Sequence, residues 1–267
     1  MRSRSSRKRN RAARPVSVGL ALLFVGALYA AVAPSTQVAA DTGTSAQVKE
    51  GKALFQVTCS SCHGLNGEGT SQGPSLVGVG AASVDFQMST NRMPMARPEQ
   101  QAPQRMISEY TADEIAAIAS YVDTLGPGPA IPNSSQYDYS QLTEEDIARG
   151  GELFRTNCSA CHQASGVGGA LPNGKYAPNL SQTEPIHIWE AMRTGPQQMP
   201  VFAEGALPDE DVAAIIGYLA GLSDEPTLGL TLGGFGPVSE GLFVWIIGIG
   251  GLSLVAVWIA SRGALKK

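Results

Sequence analysis

The feature that most constrains the fold of this chain is a Cys-x-x-Cys-His motif that occurs twice. The first copy lies in TCSSCHGLNG (58–67) and the second in NCSACHQASG (157–166). Together the two copies hold all four cysteines of the chain and two of its three histidines. Any fold proposed for the chain must therefore give both motifs the same use.

The two motifs lie within longer repeats. GKALFQVTCSSCH (51–63) aligns without a gap with GGELFRTNCSACH (150–162), and DEIAAIASYVDTL (113–125) parallels EDVAAIIGYLAGL (210–222). Between these segments each half has a Pro-x-Leu step followed by a Met-Pro step. Chance similarity would not keep these features in one order, so we predict two homologous domains. The closing segments carry apolar residues at helical spacing and predict a mainly α fold.

Proline and glycine mark the boundary between the domains. The segment LGPGPAIPNSSQ (125–136) has the composition of an extended tether. We predict domains at 46–126 and 141–223 with a linker at 127–140, and a second linker at 224–241. Each domain is short and rich in loops, so its small core needs an additional stabilising group such as a disulfide, a metal ion or a cofactor.

Uncharged apolar runs lie near both ends of the chain. They are VSVGLALLFVGALYAAVA (16–33) and LFVWIIGIGGLSLVAVWIA (242–260). A helix needs roughly twenty residues to cross a bilayer, so the second run predicts a transmembrane helix with a basic cytoplasmic tail at 261–267. The first run predicts a signal-anchor within residues 1–40. Alternatively it is a signal peptide cleaved before Asp41.

The charge distribution predicts how the chain is oriented in the membrane and argues against nucleic acid as a partner. Ten of the 19 Lys and Arg residues lie in the first fourteen or last six positions, so the middle has nine against 23 acidic residues. This acidic middle would repel a nucleic acid backbone. Basic residues stay on the cytoplasmic side of a membrane, so both domains are predicted on the extracytoplasmic side of the cell membrane. The chain is then multi-pass, or single-pass if residues 1–40 are removed.

The repeated motif has three chemical interpretations, of which two fit poorly. A structural zinc site needs four ligands. The second domain offers Cys158, Cys161, His162 and His187, but the first has only the three counterparts in its motif. A redox dithiol of the thioredoxin type would sit in a βαβ pattern, which the sequence lacks, and would leave the repeated histidine unexplained.

Covalent haem of the c type is the third interpretation, and the motif signals it directly. The paired thiols would join the haem vinyl groups, and the adjacent histidine would be the proximal iron ligand. We therefore predict two covalently bound haem c groups, which would also supply the missing core. The predicted attachment and proximal residues are Cys59, Cys62 and His63 in the first domain and Cys158, Cys161 and His162 in the second.

The sixth iron ligand separates an electron carrier from a catalyst. Met93 and Met199 occupy the equivalent Met-Pro steps, and a thioether ligand gives a closed iron site of raised potential. We predict these two methionines as the sixth ligands, with Met95 as the rival to Met93. His187 is the spare histidine that a dihaem peroxidase could use as a displaceable ligand.

Each half of the chain resembles a class I cytochrome c. The resemblance rests on a helix with Gly51 and Phe55, the Cys-x-x-Cys-His motif, the Pro-x-Leu and Met-Pro loops and a final helix with Tyr121. It implies that the first and last helices cross at the glycine and aromatic positions. It also implies that the carbonyls of two prolines accept hydrogen bonds from the proximal histidines; these prolines are Pro74 and Pro178.

The whole chain is similar to the dihaem cytochrome c subunit of the actinobacterial menaquinol–cytochrome c reductase, the cytochrome bc complex. VDFQMSTNRMPMARPEQQAP (84–103) is the segment most specific to that subfamily. The resemblance implies an electron-transfer subunit with no bond-making site of its own. Its partners would be the Rieske iron–sulfur subunit, which donates electrons, cytochrome b, and a terminal cytochrome c oxidase, which accepts them. A cytochrome subunit of another membrane assembly, an oxidase or a periplasmic dehydrogenase, is the alternative, and a dihaem peroxidase is a weaker one.

Overall fold

We describe residues 16–27, 44–224 and 237–264 of a computed structural model of the chain. The chain divides into two compact units, residues 1–39 and 40–267. The first unit has an apolar helix, α1, over Val16–Ala27, which is shorter than a bilayer requires. The rest of the predicted signal-anchor lies outside the described residues, as does the predicted cleavage site.

The second unit contains two helical domains of matching order. The first is built of α2 (Ser45–Thr58), α3 (Ser60–His63), α4 (Ala81–Ser89) and α5 (Ala112–Asp123). The second has α6 (Glu144–Asn157), α7 (Ser159–His162), α8 (Pro185–Thr194) and α9 (Asp209–Asp224). The second domain adds an antiparallel pair of short strands, β1 (Gly169–Ala170) and β2 (Tyr176–Ala177), with Gly169 opposite Ala177. Single 3₁₀ turns cover Ser134–Gln136 and Pro172–Gly174.

The first and last helices of each domain cross at a glycine. A Cβ at Gly51 would lie 1.8 Å from the carbonyl oxygen of Ala117, and one at Gly150 would lie 2.0 Å from that of Ala214. Only glycine lets the two backbones approach this closely, so the glycine fixes where the helices cross. One turn further on, a buried phenylalanine meets a tyrosine of the last helix. Ring centroids are 5.2 Å apart for Phe55–Tyr121 and 5.7 Å apart for Phe154–Tyr218.

The last helix of the first domain begins as its sequence predicts. Thr111 and Glu114 form a capping box, in which each side chain accepts a hydrogen bond from the other residue's backbone N–H. The predicted apolar stripe is buried, with Ile115, Ile118 and Val122 each at most 5% exposed. A second capping box, Thr143 with Asp146, begins α6.

The segment between the domains is anchored rather than loose. Pro129 accepts a hydrogen bond from the backbone N–H of Ala82 at 3.0 Å, so the start of the segment lies against the first domain. Gln136 donates from Nε2 to Asp209 in the second domain at 2.8 Å. The composition of the segment predicted an extended tether. Hydrogen bonds to residues that are distant in sequence cannot be recognised from composition.

A long apolar helix, α10 (Pro237–Ala264), follows the second domain. Its segment Gly241–Arg262 spans 22 residues with a mean hydropathy of 2.4, and none of its most apolar window is buried. It is therefore long and apolar enough to cross a membrane. It contains the run 242–260 that the sequence predicted as a transmembrane helix.

Candidate haem sites

In both domains the Cys-x-x-Cys-His motif forms one short turn of helix. The carbonyl oxygen of Cys59 accepts hydrogen bonds from the backbone N–H groups of Cys62 (3.2 Å) and His63 (2.9 Å). In the second domain Cys158 accepts equivalent bonds from Cys161 (3.1 Å) and His162 (2.9 Å). All four cysteines are free thiols. The turn therefore presents two thiols and an imidazole from one rigid segment, twice.

Each motif histidine is held by the proline that the resemblance to class I cytochrome c implies. His63 Nδ1 lies 2.8 Å from the carbonyl oxygen of Pro74, and His162 Nδ1 lies 3.1 Å from that of Pro178. A carbonyl oxygen can only accept, so Nδ1 must be the protonated nitrogen that donates. The lone pair is then on Nε2, the tautomer that a metal-ligating histidine needs.

The predicted methionines lie in the same clusters as the motif cysteines. Met93 and Cys59 both pack against the core of the first domain. Met199 and Cys158 pack against the core of the second. Among the described residues that pack against the first core, Met93 is included and Met95 is not.

A cavity of about 1250 Å³ adjoins the second motif. It is larger than the ~300–1,000 Å³ of ordinary small-ligand sites. Its lining brings together every residue predicted for the second site, namely Cys158, Cys161, His162, Pro178 and Met199. The first domain contributes part of the wall through Phe86, Thr90, Arg92, Gln101 and Gln104. The free thiols, the oriented imidazole and the methionine on this large cavity fit a c-type haem.

The burial of one cysteine in each motif opposes the redox-dithiol interpretation. Burial raises the pKa of the Cys158 thiol to about 11, and it also raises the pKa of Cys59. Reactive dithiols have a cysteine of lowered pKa instead. Burial also lowers the pKa of His162 and so favours the neutral imidazole. The hydrogen bond to Pro178 raises that pKa, but by less.

The zinc interpretation required His187 to join the second motif, and the structure places it differently. His187 Nδ1 lies 3.0 Å from Oε2 of Glu190, one turn along α8. In the described part of the chain, the metal-capable side chains that converge are Asp85, His187 and Glu190, and they include no cysteine.

Sequence reasoning missed this group of three and the helices that carry it. His187 and Glu190 are three positions apart, which would place them on one face had α8 been predicted. Asp85 belongs to the other domain, so its approach could not be read from the sequence. Sequence reasoning also missed the ring contact between Phe86 and His187, whose centroids are 6.3 Å apart.

The fold and the two motifs define a protein with two cytochrome c domains. The "Cytochrome c" family model matches residues 48–126, and the model described as "Cytochrome C oxidase, cbb3-type, subunit III" matches residues 145–219. Cytochrome c domains bind haem c, so haem binding follows from this membership.

Curated relatives that match nearly the whole chain are named "Cytochrome bc1 complex cytochrome c subunit". The protein from Mycobacterium tuberculosis is 45% identical, covering 97% of this chain and 96% of its own. The protein from Corynebacterium efficiens is 42% identical over 92% and 88%. The protein from Corynebacterium diphtheriae is 40% identical over 97% of each chain. The chain therefore belongs to the family of cytochrome c subunits of the cytochrome bc1 complex. It is an electron-transfer subunit of a membrane-associated reductase complex.

Proposed function

We propose that this chain is the membrane-anchored dihaem subunit that carries electrons out of a menaquinol–cytochrome c reductase. It would accept them from the Rieske iron–sulfur subunit and deliver them to a terminal cytochrome c oxidase. The observation that most supports this is the repeated arrangement of free cysteines beside an imidazole bonded to a proline carbonyl. Two equivalent sites in one chain suit a relay of single electrons.

The proposed ligand set is the same in both domains. The paired cysteines, Cys59 with Cys62 and Cys158 with Cys161, would form the thioether links. Nε2 of His63 or His162 and the thioether of Met93 or Met199 would hold the iron. When bound, each haem supplies a one-electron couple.

The protein residues around each site would set the affinity for the electron. The hydrogen bond from Nδ1 to Pro74 or Pro178 fixes the ring orientation and raises the basicity of the ligating nitrogen. A methionine ligand raises the potential, and a buried surround disfavours the additional charge of the oxidised form. Phe55 and Phe154, both 0% exposed, help to exclude water from the two cores.

The domain arrangement supports transfer between the two sites within one chain. Residues of the first domain, among them Phe86 and Arg92, line the cavity of the second. These wall residues would lie beside the second haem, whose one-electron chemistry the proposed ligands would support. The domains, taken as 46–126 and 141–223, would lie outside the cytoplasm, and α10 would anchor them beside cytochrome b. The N-terminal apolar run would add a second span if retained.

A redox titration of the purified full-length protein tests the ligands. Two haems per chain, each with the near-infrared methionine–iron band, are expected in the wild type. Met93→Ala and Met199→Ala should each remove one band and lower one midpoint potential. Met106→Ala is the matched control, since its side chain is 99% exposed and should leave both haems unchanged. A haem that keeps its band without its methionine would contradict that assignment.

A second experiment tests the assembly. Isolation of the complex through a tag on this chain should bring the Rieske protein and cytochrome b with it. The alternative is a cytochrome subunit of an oxidase or a dehydrogenase, and the match of residues 145–219 to an oxidase subunit family favours the oxidase. Recovery of oxidase or dehydrogenase chains alone would support that alternative.

A further inference from the structure

A cluster of polar side chains lies where the two domains meet, apart from the haem-ligand residues. Asp85 is on α4 of the first domain, and His187 and Glu190 are on α8 of the second. One nitrogen or oxygen atom from each residue lies within 4.8 Å of the other two. We call these residues the interdomain triad.

Glu190 is the most unusual member of the interdomain triad. Its side chain is 0% exposed, and its Oε1 accepts no hydrogen bond from any residue that the structure describes. Its Oε2 lies 3.0 Å from His187 Nδ1. A buried carboxylate that lacks a partner for one oxygen is costly, and nature satisfies such groups with a proton or a cation.

The carboxyl of Asp85 lies close to Glu190 and brings a second acidic group to the site. Within the described part of the chain, no lysine or arginine forms an ion pair with Asp85 or Glu190. Arg92 is near, but its guanidinium stacks on the Phe86 ring at 5.0 Å from the centroid. The interdomain triad thus has two carboxyl groups and one imidazole, and none of the described lysines or arginines forms an ion pair with it.

We propose that Asp85, His187 and Glu190 bind a divalent metal ion of the zinc class, which joins the two domains. One imidazole nitrogen and two carboxylate oxygens are ligands that zinc accepts, with water filling the fourth position. Two ligands of a tetrahedral zinc lie about 3.3 Å apart, because each is ~2.0–2.2 Å from the metal. His187 Nδ1 and Glu190 Oε2 lie 3.0 Å apart, so a metal ion could take the place of the proton between them, and an oxygen of Asp85 lies within 4.8 Å of a ligand atom of each of these two residues.

The imidazole and the two carboxylates of the interdomain triad favour zinc over calcium and magnesium. Calcium and magnesium prefer six or more oxygen ligands, whereas an imidazole favours zinc and its neighbours. His187 also lines the large cavity, which provides space for the water ligand. The ion would connect α4 to α8, and so would hold the first domain as a wall of the second haem site. The site needs none of the proposed haem ligands.

Metal content of the full-length protein, measured by elemental mass spectrometry after dialysis against a weak chelator, tests the proposal. The expected result is one zinc for every two haem irons. His187→Gln and Glu190→Gln should each lose that zinc while keeping the wild-type haem spectrum, which reports that both domains are folded. Glu204→Gln is the control, because it removes an exposed carboxylate of the second domain and should keep the zinc.

X-ray absorption at the zinc edge identifies the ligands independently of the haem iron. Nitrogen and oxygen neighbours alone, with an imidazole signature lost in His187→Gln, would support the interdomain triad. Sulfur neighbours would overturn it, since zinc would then be on cysteines that lack haem. A protein that retains no zinc would also overturn it. In that case infrared spectra should show the carbonyl band of a protonated carboxyl that disappears in Glu190→Gln.

Discussion

The two domains share their helix crossing and motif geometry but differ in the loop that leads to the last helix. In the first domain that loop runs from 90 to 111, and in the second from 195 to 208. The longer loop reaches the other domain, where the side chain of Gln101 exchanges two hydrogen bonds of 2.8 Å with the backbone of Tyr176. The repeated parts thus form the two sites, and the unrepeated parts join them.

In the second domain an ion pair between Arg193 and Asp209 holds the shorter loop in place. Asp209, at the start of α9, accepts hydrogen bonds from Arg193 (2.5 Å), Trp189 (2.8 Å) and Gln136 (2.8 Å). Arg193 also donates to the carbonyl oxygens of Phe202 and Leu207, both at 2.8 Å. In the first domain the equivalent helix begins at the capping box of Thr111 instead. The same helical scaffold therefore stabilises the start of its last helix with a capping box in one domain and with an ion pair in the other.

The largest effect is expected at the helix crossings. Gly51→Ala and Gly150→Ala each place a Cβ against a backbone carbonyl that cannot move aside, at 1.8 and 2.0 Å. Each should lower the free energy of unfolding of its own domain by about 3 kcal/mol or more. Thermal unfolding followed by haem absorbance measures this. Gly205→Ala should have little effect, since nothing lies within 4 Å of its added Cβ. Equal stability of all three variants would contradict the conclusion that the crossings require glycine.

A smaller effect, confined to the second domain, is expected for Asp209→Asn. Burial alone would raise the pKa of Asp209, but the hydrogen bonds from Arg193, Gln136 and Trp189 outweigh it and lower that pKa. The stability that the carboxylate contributes is therefore present above its ordinary pKa of about 3.9. It is lost as the pH falls through the lower folded value.

The Asn variant should lose about 2 kcal/mol at neutral pH and approach the wild type in acid. Melting temperatures measured between about pH 2 and pH 7 test this. A constant difference at every pH would show that the charge of Asp209 is not what holds the loop.

Both capping boxes should contribute about equally. Thr111→Ala and Thr143→Ala each remove the side-chain acceptor at the start of a helix, which costs about 1 kcal/mol. Denaturant titration of the two variants gives the comparison. A loss in one domain alone would mean that only one box contributes to stability.

The smallest effect on stability is expected at the contact between the domains. Gln101→Ala removes two exposed hydrogen bonds to Tyr176 and should cost less than about 1 kcal/mol. The larger measurable effect of Gln101→Ala should be on the contact between the domains. Distances between spin labels placed on the two domains should become more widely distributed. Gln100→Ala, its exposed neighbour, is the control and should leave that distribution unchanged.

Several elements could be predicted from the sequence because their signals are local. The capping box at Thr111 is a spacing of three residues, and the apolar stripe of α5 is a helical period. The crossing glycines and the transmembrane helix are likewise visible as repeated letters or an uncharged run. Helix α4 was missed because its buried residues alternate along the chain, as Ala82, Val84, Phe86 and Met88, which is not a helical spacing, since α4 contacts both α5 and α8. Helix α8 was missed although Ile188, Trp189 and Met192 do have a helical spacing.

Residue identity and spacing establish the repeat, the two cytochrome c domains and the apolar helix near the C-terminus, and they predict the haem residues. Each of these is a local pattern, so it can be recognised without the fold. The folded structure was needed to show that the linker is anchored, that the first domain lines the cavity of the second, and that Asp85 meets His187 and Glu190. Such contacts join residues that are distant in sequence, and their free energy depends on burial and on the partner's position, which no local pattern encodes.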